Sequence, residues 1–199
     1  MKVVSFLHQK GGTGKSTLAI GSALALAQAG HRVLLLDADY QGTSGEWGNR
    51  HGHRFGLETR SQVQPIVHSE VRRFRDAFEW VIVDGPPSLS EMTESILRAS
   101  DRVLIPVRPS LPDVWAIPWL AAIIRKLQQE GLHPRPCVVF NQYAGEPLGP
   151  LREELEPWQL PVCPEPLPAD PAFAALFRGE PLPGPLAERL LELVTADGD

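Results

Sequence analysis

The sequence predicts an α/β fold: a mostly parallel, twisted sheet flanked by helices on both faces, with residues 1–199 forming a single domain. Three observations predict it. Short β-branched runs recur along the chain and are apolar throughout rather than alternating, as strands covered on both faces must be. Stretches of helical length fall between them, so strand and helix take turns, and right-handed crossovers follow. The 199 residues are 43% hydrophobic and 22% charged, which suits one sizeable core and is far from disorder.

The elements follow in order. Residues 3–7 form the first apolar run. A Gly-rich turn comes next, then an Ala/Leu-rich stretch over 16–29 that reads as a helix. Gly30 closes it, in the position after the last turn where a left-handed backbone is needed. Further strands are expected at 33–36, 81–83, 103–107 and 138–140, and helices at about 93–99, 114–129 and 148–156. Trp115 and Trp119 lie four apart beside Leu120, Ile123 and Leu127, a spacing that predicts core packing, with a dimer face as the alternative. Eleven of the twenty prolines follow residue 145, where long regular structure is resisted. Trp158, Phe173 and Phe177 interleave with them, so this region is expected to wrap the domain and end in a helix over about 186–194.

Composition excludes several classes. No apolar run approaches the ~18–20 residues that span a bilayer. The opening apolar stretch is too short for a secretion signal. Cys137 and Cys163 have neither metal spacing nor disulfide density, which fits a reducing cytoplasm. The formal net charge of −5 is unevenly spread: from Glu146 onward, Arg152, Arg178 and Arg189 stand against eleven acidic residues. Between Arg50 and Arg75 there are six arginines and only two acids, Glu58 and Glu70, so any nucleic-acid contact belongs in the first part of the chain.

The strongest signal is Gly11-Gly12-Thr13-Gly14-Lys15-Ser16-Thr17, placed between the first strand and the first helix. A phosphate chain needs successive backbone N–H groups turned inward, which glycine permits, and the helix N-terminus adds partial positive charge. Lys15 then reaches the terminal phosphates and the Ser16 hydroxyl suits Mg²⁺. Gln9 stands where the general pattern G-x-x-x-x-G-K-[ST] has its first glycine, and a second lysine, Lys10, opens the loop.

KGGTGKST resembles the deviant Walker A loop of the ParA/MinD family of P-loop ATPases. Asp37-Ala38-Asp39-Tyr40-Gln41, the segment from Val81 to Pro87, and Ile105-Pro106-Val107 match in order and spacing, with Tyr40 where the family has proline. The compact length looks like the small ParA-type partition and positioning ATPases that lack an N-terminal DNA-binding domain. The resemblance implies ATP and Mg²⁺ as cofactors. Gly11 to Thr17 would cradle the phosphates; Ser16, Asp37 and Asp84 would serve the metal, Asp84 from the end of an apolar strand. Asp39 would orient the attacking water. Lys10 would reach across a dimer interface to the partner's nucleotide, making ATP the glue of a homodimer. Asn141, ending the strand at 138–140, matches a position where the family recognises adenine with an amide; a turn-starting asparagine is the bland alternative.

The function so implied is a positioning ATPase that moves plasmid or chromosomal DNA, or a protein cargo such as a carboxysome, over the nucleoid. Its hydrolysis would be stimulated by a ParB-like or other adaptor protein, and its ATP dimer would bind DNA without sequence preference. Arg72, Arg73 and Arg75 are the candidate DNA contacts, with a solvated helix face as the alternative reading of that cluster. The alternative is a related P-loop metabolic or metallocentre-assembly enzyme, although Gly85-Pro86-Pro87 lacks the cysteine a cluster would need. Membrane attachment of the MinD kind needs a basic amphipathic end, whereas residues 193–199 are acidic and polar.

Overall fold

Side chains alternate across a strand, so a strand that is apolar at every position needs cover on both faces. The computed structural model, which describes residues 1–196, supplies that cover. Asp197 and Asp199, which contribute to the acidity of the chain end, lie with Gly198 outside the described residues. The strands are β1 (Lys2–Phe6), β2 (Val33–Asp37), β3 (Glu58–Ser61), β4 (Trp80–Asp84), β5 (Arg102–Val107) and β6 (Arg135–Phe140). They form one sheet in the order β3-β2-β4-β1-β5-β6, with every neighbouring pair parallel.

The helices are α1 (Lys15–Gln28), α2 (Thr43–His51), α3 (Val67–Glu70), α4 (Glu91–Ala99), α5 (Leu111–Val114), α6 (Ile117–Gln129), α7 (Gly149–Leu155), α8 (Pro171–Ala175) and α9 (Gly184–Thr195). Two cores result. Leu34 and Leu36 of β2 pack with Ile96 of α4 and Ile117 and Leu120 of α6 on one face. Val33 and Leu35 pack with Leu18 and Leu24 of α1 and Leu190 of α9 on the other. α1 is apolar almost all round because it is enclosed by the sheet and by α9.

Five strands fall where the apolar runs predict them, and Gly30 has the expected left-handed φ of 91°. Four elements are unsigned in the sequence: β3, α2 and the short α3 and α8. β3, reading Glu-Thr-Arg-Ser, is a polar edge strand that exists by pairing with β2. α2 carries two glycines and is anchored by Trp47, whose Nε1 donates to the Leu176 carbonyl at 2.6 Å and whose ring stacks on Phe55.

One helix and its tryptophans depart from expectation. The stretch at 114–129 is two helices, α5 and α6, with Trp115 and Ala116 between them. Pro118 near the start of α6 has no N–H to continue a helix from α5. Core packing of Trp115 and Trp119 is wrong: they are 59% and 68% exposed. The buried stripe of α6 runs instead through Ile117, Leu120, Ala121, Ile124 and Leu127, which leaves Trp119 on the outer face.

Candidate functional site

In a parallel sheet the open crevice lies beyond the carboxyl ends of the strands. Register puts Asp37 of β2 directly beside Asp84 of β4, and Asp84 beside Phe6 of β1, so two carboxylates converge on the loop that leaves β1. That loop, residues 8–14, runs into α1 through Gly14, whose φ of 97° is costly for any residue with a Cβ. A Cβ there would also drive into the Asn141 amide.

The two loop lysines are separated. Lys15 is 6% exposed, and its Nζ donates to the Lys10 carbonyl at 3.1 Å. Burial pulls its pKa down, while the facing charges of Asp84 and Asp39 oppose that shift. Lys10 stands at the rim, its Nζ 3.4 Å from Asp113 Oδ1. Asp113 is buried and is also gripped by Arg108, with Nε to Oδ2 at 2.6 Å and Nη2 to Oδ1 at 3.0 Å. Burial alone would raise the Asp113 carboxyl; Arg108 and Lys10 together hold it below the usual range. No local motif singles out Arg108. The available clue was an acid buried among apolar neighbours, which requires a cation.

The acids have distinct surroundings. Asp37 is fully buried and already committed, accepting the Asp39 amide at 3.0 Å and the Gly45 amide at 2.6 Å. Asp39 is nearly buried and accepts the Gln41 amide at 3.0 Å, which shapes the turn where Tyr40, 76% exposed, replaces proline. Asp84 is different: it is fully buried, and neither carboxylate oxygen has a hydrogen-bond partner among the described residues. Burial, reinforced by Asp37, pushes its pKa up to about 7, against the pull of Ser16, Ser44 and Lys15. A buried carboxylate whose oxygens make no direct hydrogen bond, with the Ser16 and Ser44 hydroxyls nearby, fits a hard divalent cation such as Mg²⁺. Ser44, whose Oγ is likewise buried and unpaired, had no motif to mark it.

Asn141 is brought to the loop. Its Nδ2 donates to the Thr13 carbonyl at 2.9 Å, and Gln142 Nε2 donates to the Gly12 carbonyl at 2.9 Å. The amide therefore braces the loop, while its Oδ1 remains buried and unpaired. Next to it a cleft of about 510 Å³ is lined by Gly14, Thr17, Asn141, Pro168, Phe173 and Phe177. Gln142 and Asp170 also line it, and apolar walls with a few polar groups suit a flat heterocycle.

Comparison with known proteins follows the same line. Residues 4–182 match the family model described as the CobQ/CobB/MinD/ParA nucleotide binding domain. The chain is 36% identical over 114 residues to the maintenance of carboxysome distribution protein A of Gloeobacter kilaueensis, covering 57% of this chain and 52% of that one. It is 30% identical over 163 residues to the chromosome-partitioning ATPase Soj of Thermus thermophilus, covering 66% and 64%. The matched stretches thus span about half to two thirds of these relatives. Among solved structures, the ATP complex of a variant of McdA from Cyanothece superposes with a TM-score of 0.75 at 17% identity, over 100% of this chain and 98% of that one. That likeness speaks to the fold.

Proposed function

This chain belongs to the CobQ/CobB/MinD/ParA nucleotide-binding family, and on that premise we propose that it is a Mg²⁺-dependent ATPase whose ATP-bound form dimerises to position or segregate a cargo. The observation that carries the reading is the division of labour between the two lysines. Lys15 is folded into the loop, whereas Lys10 stands at the rim and turns away from its own phosphate cradle toward Asp113. A cation so placed serves a second molecule better than its own loop.

In this reading the backbone amides of residues 11–17 and Lys15 bind the phosphates. Ser16 and Asp84 hold Mg²⁺, whose chemistry is to neutralise charge on the phosphate oxygens. Asp37 keeps the Asp39 turn in place, and Asp39 orients the attacking water. Asn141 and the cleft beside it take adenine. Lys10 leaves Asp113 for the nucleotide of the partner protomer, and Arg108 remains to neutralise Asp113.

The matrix for positioning is the nucleoid. Arg72, Arg73 and Arg75 are exposed, and among the described residues only Arg73 of the three is engaged by an acid, Glu70. The basic residues of the acidic C-terminal part are committed elsewhere: Arg178 to Glu180, Arg189 to Glu165 and Glu192, and Arg152 to the carbonyls of Cys163 and Pro164. A stimulating partner protein of the ParB kind completes the cycle. The cargo class is that named for the relatives, chromosomal or plasmid DNA or a carboxysome.

Light scattering tests the reading. With Mg²⁺ and a non-hydrolysable ATP analogue the monomer mass should double, and with ADP it should not. Lys10→Ala should bind the analogue and remain monomeric. An unchanged mass for the native chain overturns the proposal.

A further inference from the structure

The carboxyl-end site leaves a second, large cleft unused. A cleft of about 1010 Å³ opens at the other end of β5 and β6, between α6, the segment at 158–164 and α9, and shares no lining residue with the cleft beside Asn141. Among the described residues, Arg102, Arg125, Arg135 and Arg189 line it with one acid, Glu192, which together with Glu165 pairs Arg189. Its apolar wall includes Trp158 and Leu160.

Arg102 is the informative member. It is the first residue of β5 and only 7% exposed, and its Nη1 donates to the Ala196 carbonyl at 2.9 Å. Its Nε–H is buried with no partner among the described residues. A buried cation with an unused donor has lost its hydration without full replacement, which a bound anion would supply. Arg125 is fixed nearby by donation to the Trp158 carbonyl at 2.9 Å, with its guanidinium 5.8 Å from the Trp158 ring centre. Flat guanidinium forks match the oxygens of a carboxylate or a phosphate.

We propose that this cleft is a second ligand site, for a small organic anion: a carboxylate or phosphate carried on an apolar body. The volume is that of a small-molecule site, and the arrangement of apolar walls with a few convergent donors is the usual one. The cleft has no part in the nucleotide chemistry proposed above.

The probe for the test is 8-anilinonaphthalene-1-sulfonate, an anion on an aromatic body, read by its own fluorescence and by energy transfer from tryptophan. One saturable site is expected, unchanged by saturating Mg²⁺-ATP and retained in Lys15→Ala. Arg189→Glu and Arg102→Met should each weaken it about ten-fold or more, on the scale of one charge-assisted hydrogen bond. Arg189→Glu, at a half-buried helix position, keeps the test decisive if Arg102→Met does not fold. Displacement by phenyl phosphate assigns a phosphate ligand, and displacement by octanoate a carboxylate. Competition by ATP, native affinity in folded Arg189→Glu, or displacement by neither compound overturns the proposal.

Discussion

Replacing His8 with asparagine should flatten the acid side of this protein's stability curve. His8 is 3% exposed, its Nδ1 accepts the Lys10 amide at 3.0 Å, and its Nε2 is buried without a partner. Burial, and then the charge of Lys15, lower its pKa from 6.5 to about 4; Asp113 opposes the shift and Lys10 adds to it. The folded pKa lies below the unfolded one, so the unfolded chain binds the proton more tightly. The contribution is therefore complete above pH 6.5 and declines as pH falls through the window to about 4. Over the whole window a shift of this size is worth about 3 kcal/mol, and between pH 7 and pH 5 about 2 kcal/mol. Asparagine does not titrate, and its Oδ1 can accept the Lys10 amide. Urea unfolding of both nucleotide-free proteins at pH 7 and pH 5 provides the assay. The native protein should lose about 2 kcal/mol more than His8→Asn over that interval, since other titrating groups, Asp84 among them, act in both. Parallel losses in the two proteins would refute the reasoning.

Asp39→Ala should keep nucleotide binding and dimerisation while turnover falls by about 10²-fold or more, the scale of a lost proton-handling group. Loss of phosphate release from ATP with an intact dimer in light scattering checks it, and native turnover counts against the assigned role. Because Asp39 also accepts the Gln41 amide, Asp39→Asn should preserve the turn and still lose activity. Reversing Arg72, Arg73 and Arg75 to glutamate should abolish retention of duplex DNA by the ATP dimer without preventing dimerisation. In the native protein the log–log salt slope should steepen by about 0.9 for each phosphate contact, measured by titrating plasmid binding against salt.

The legible parts of this protein were those whose signal is local. The parallel strands announced themselves as continuous apolar runs, because cover on both faces requires it at every position. The phosphate loop announced itself as glycines between a strand and a helix, because the backbone path excludes other residues. Lys15 was named from that pattern, and Lys10, Asp37, Asp39, Asp84 and Asn141 from the family resemblance that the loop and the later motifs carry; the fold brings their segments to one end of the sheet.

By itself, then, the sequence determined the layered α/β architecture, the loop and the order of the acids along the chain. Tertiary structure decided the rest. β3 is a strand because β2 offers an edge, not because Glu58 to Ser61 prefers one. Asp37 became an organiser of backbone amides and Asp84 an unpaired carboxylate through contacts that a single acid in a motif does not encode. The exposure of Trp115 and Trp119, the clamp of Lys10 by Asp113 and Arg108, and the arginine-lined cleft at 158–164 each depend on elements far apart in the chain. Local pattern reports which faces of an element are buried and which backbone angles it needs. Which residue of another element lies opposite is set only when the sheet order and the helix packing close.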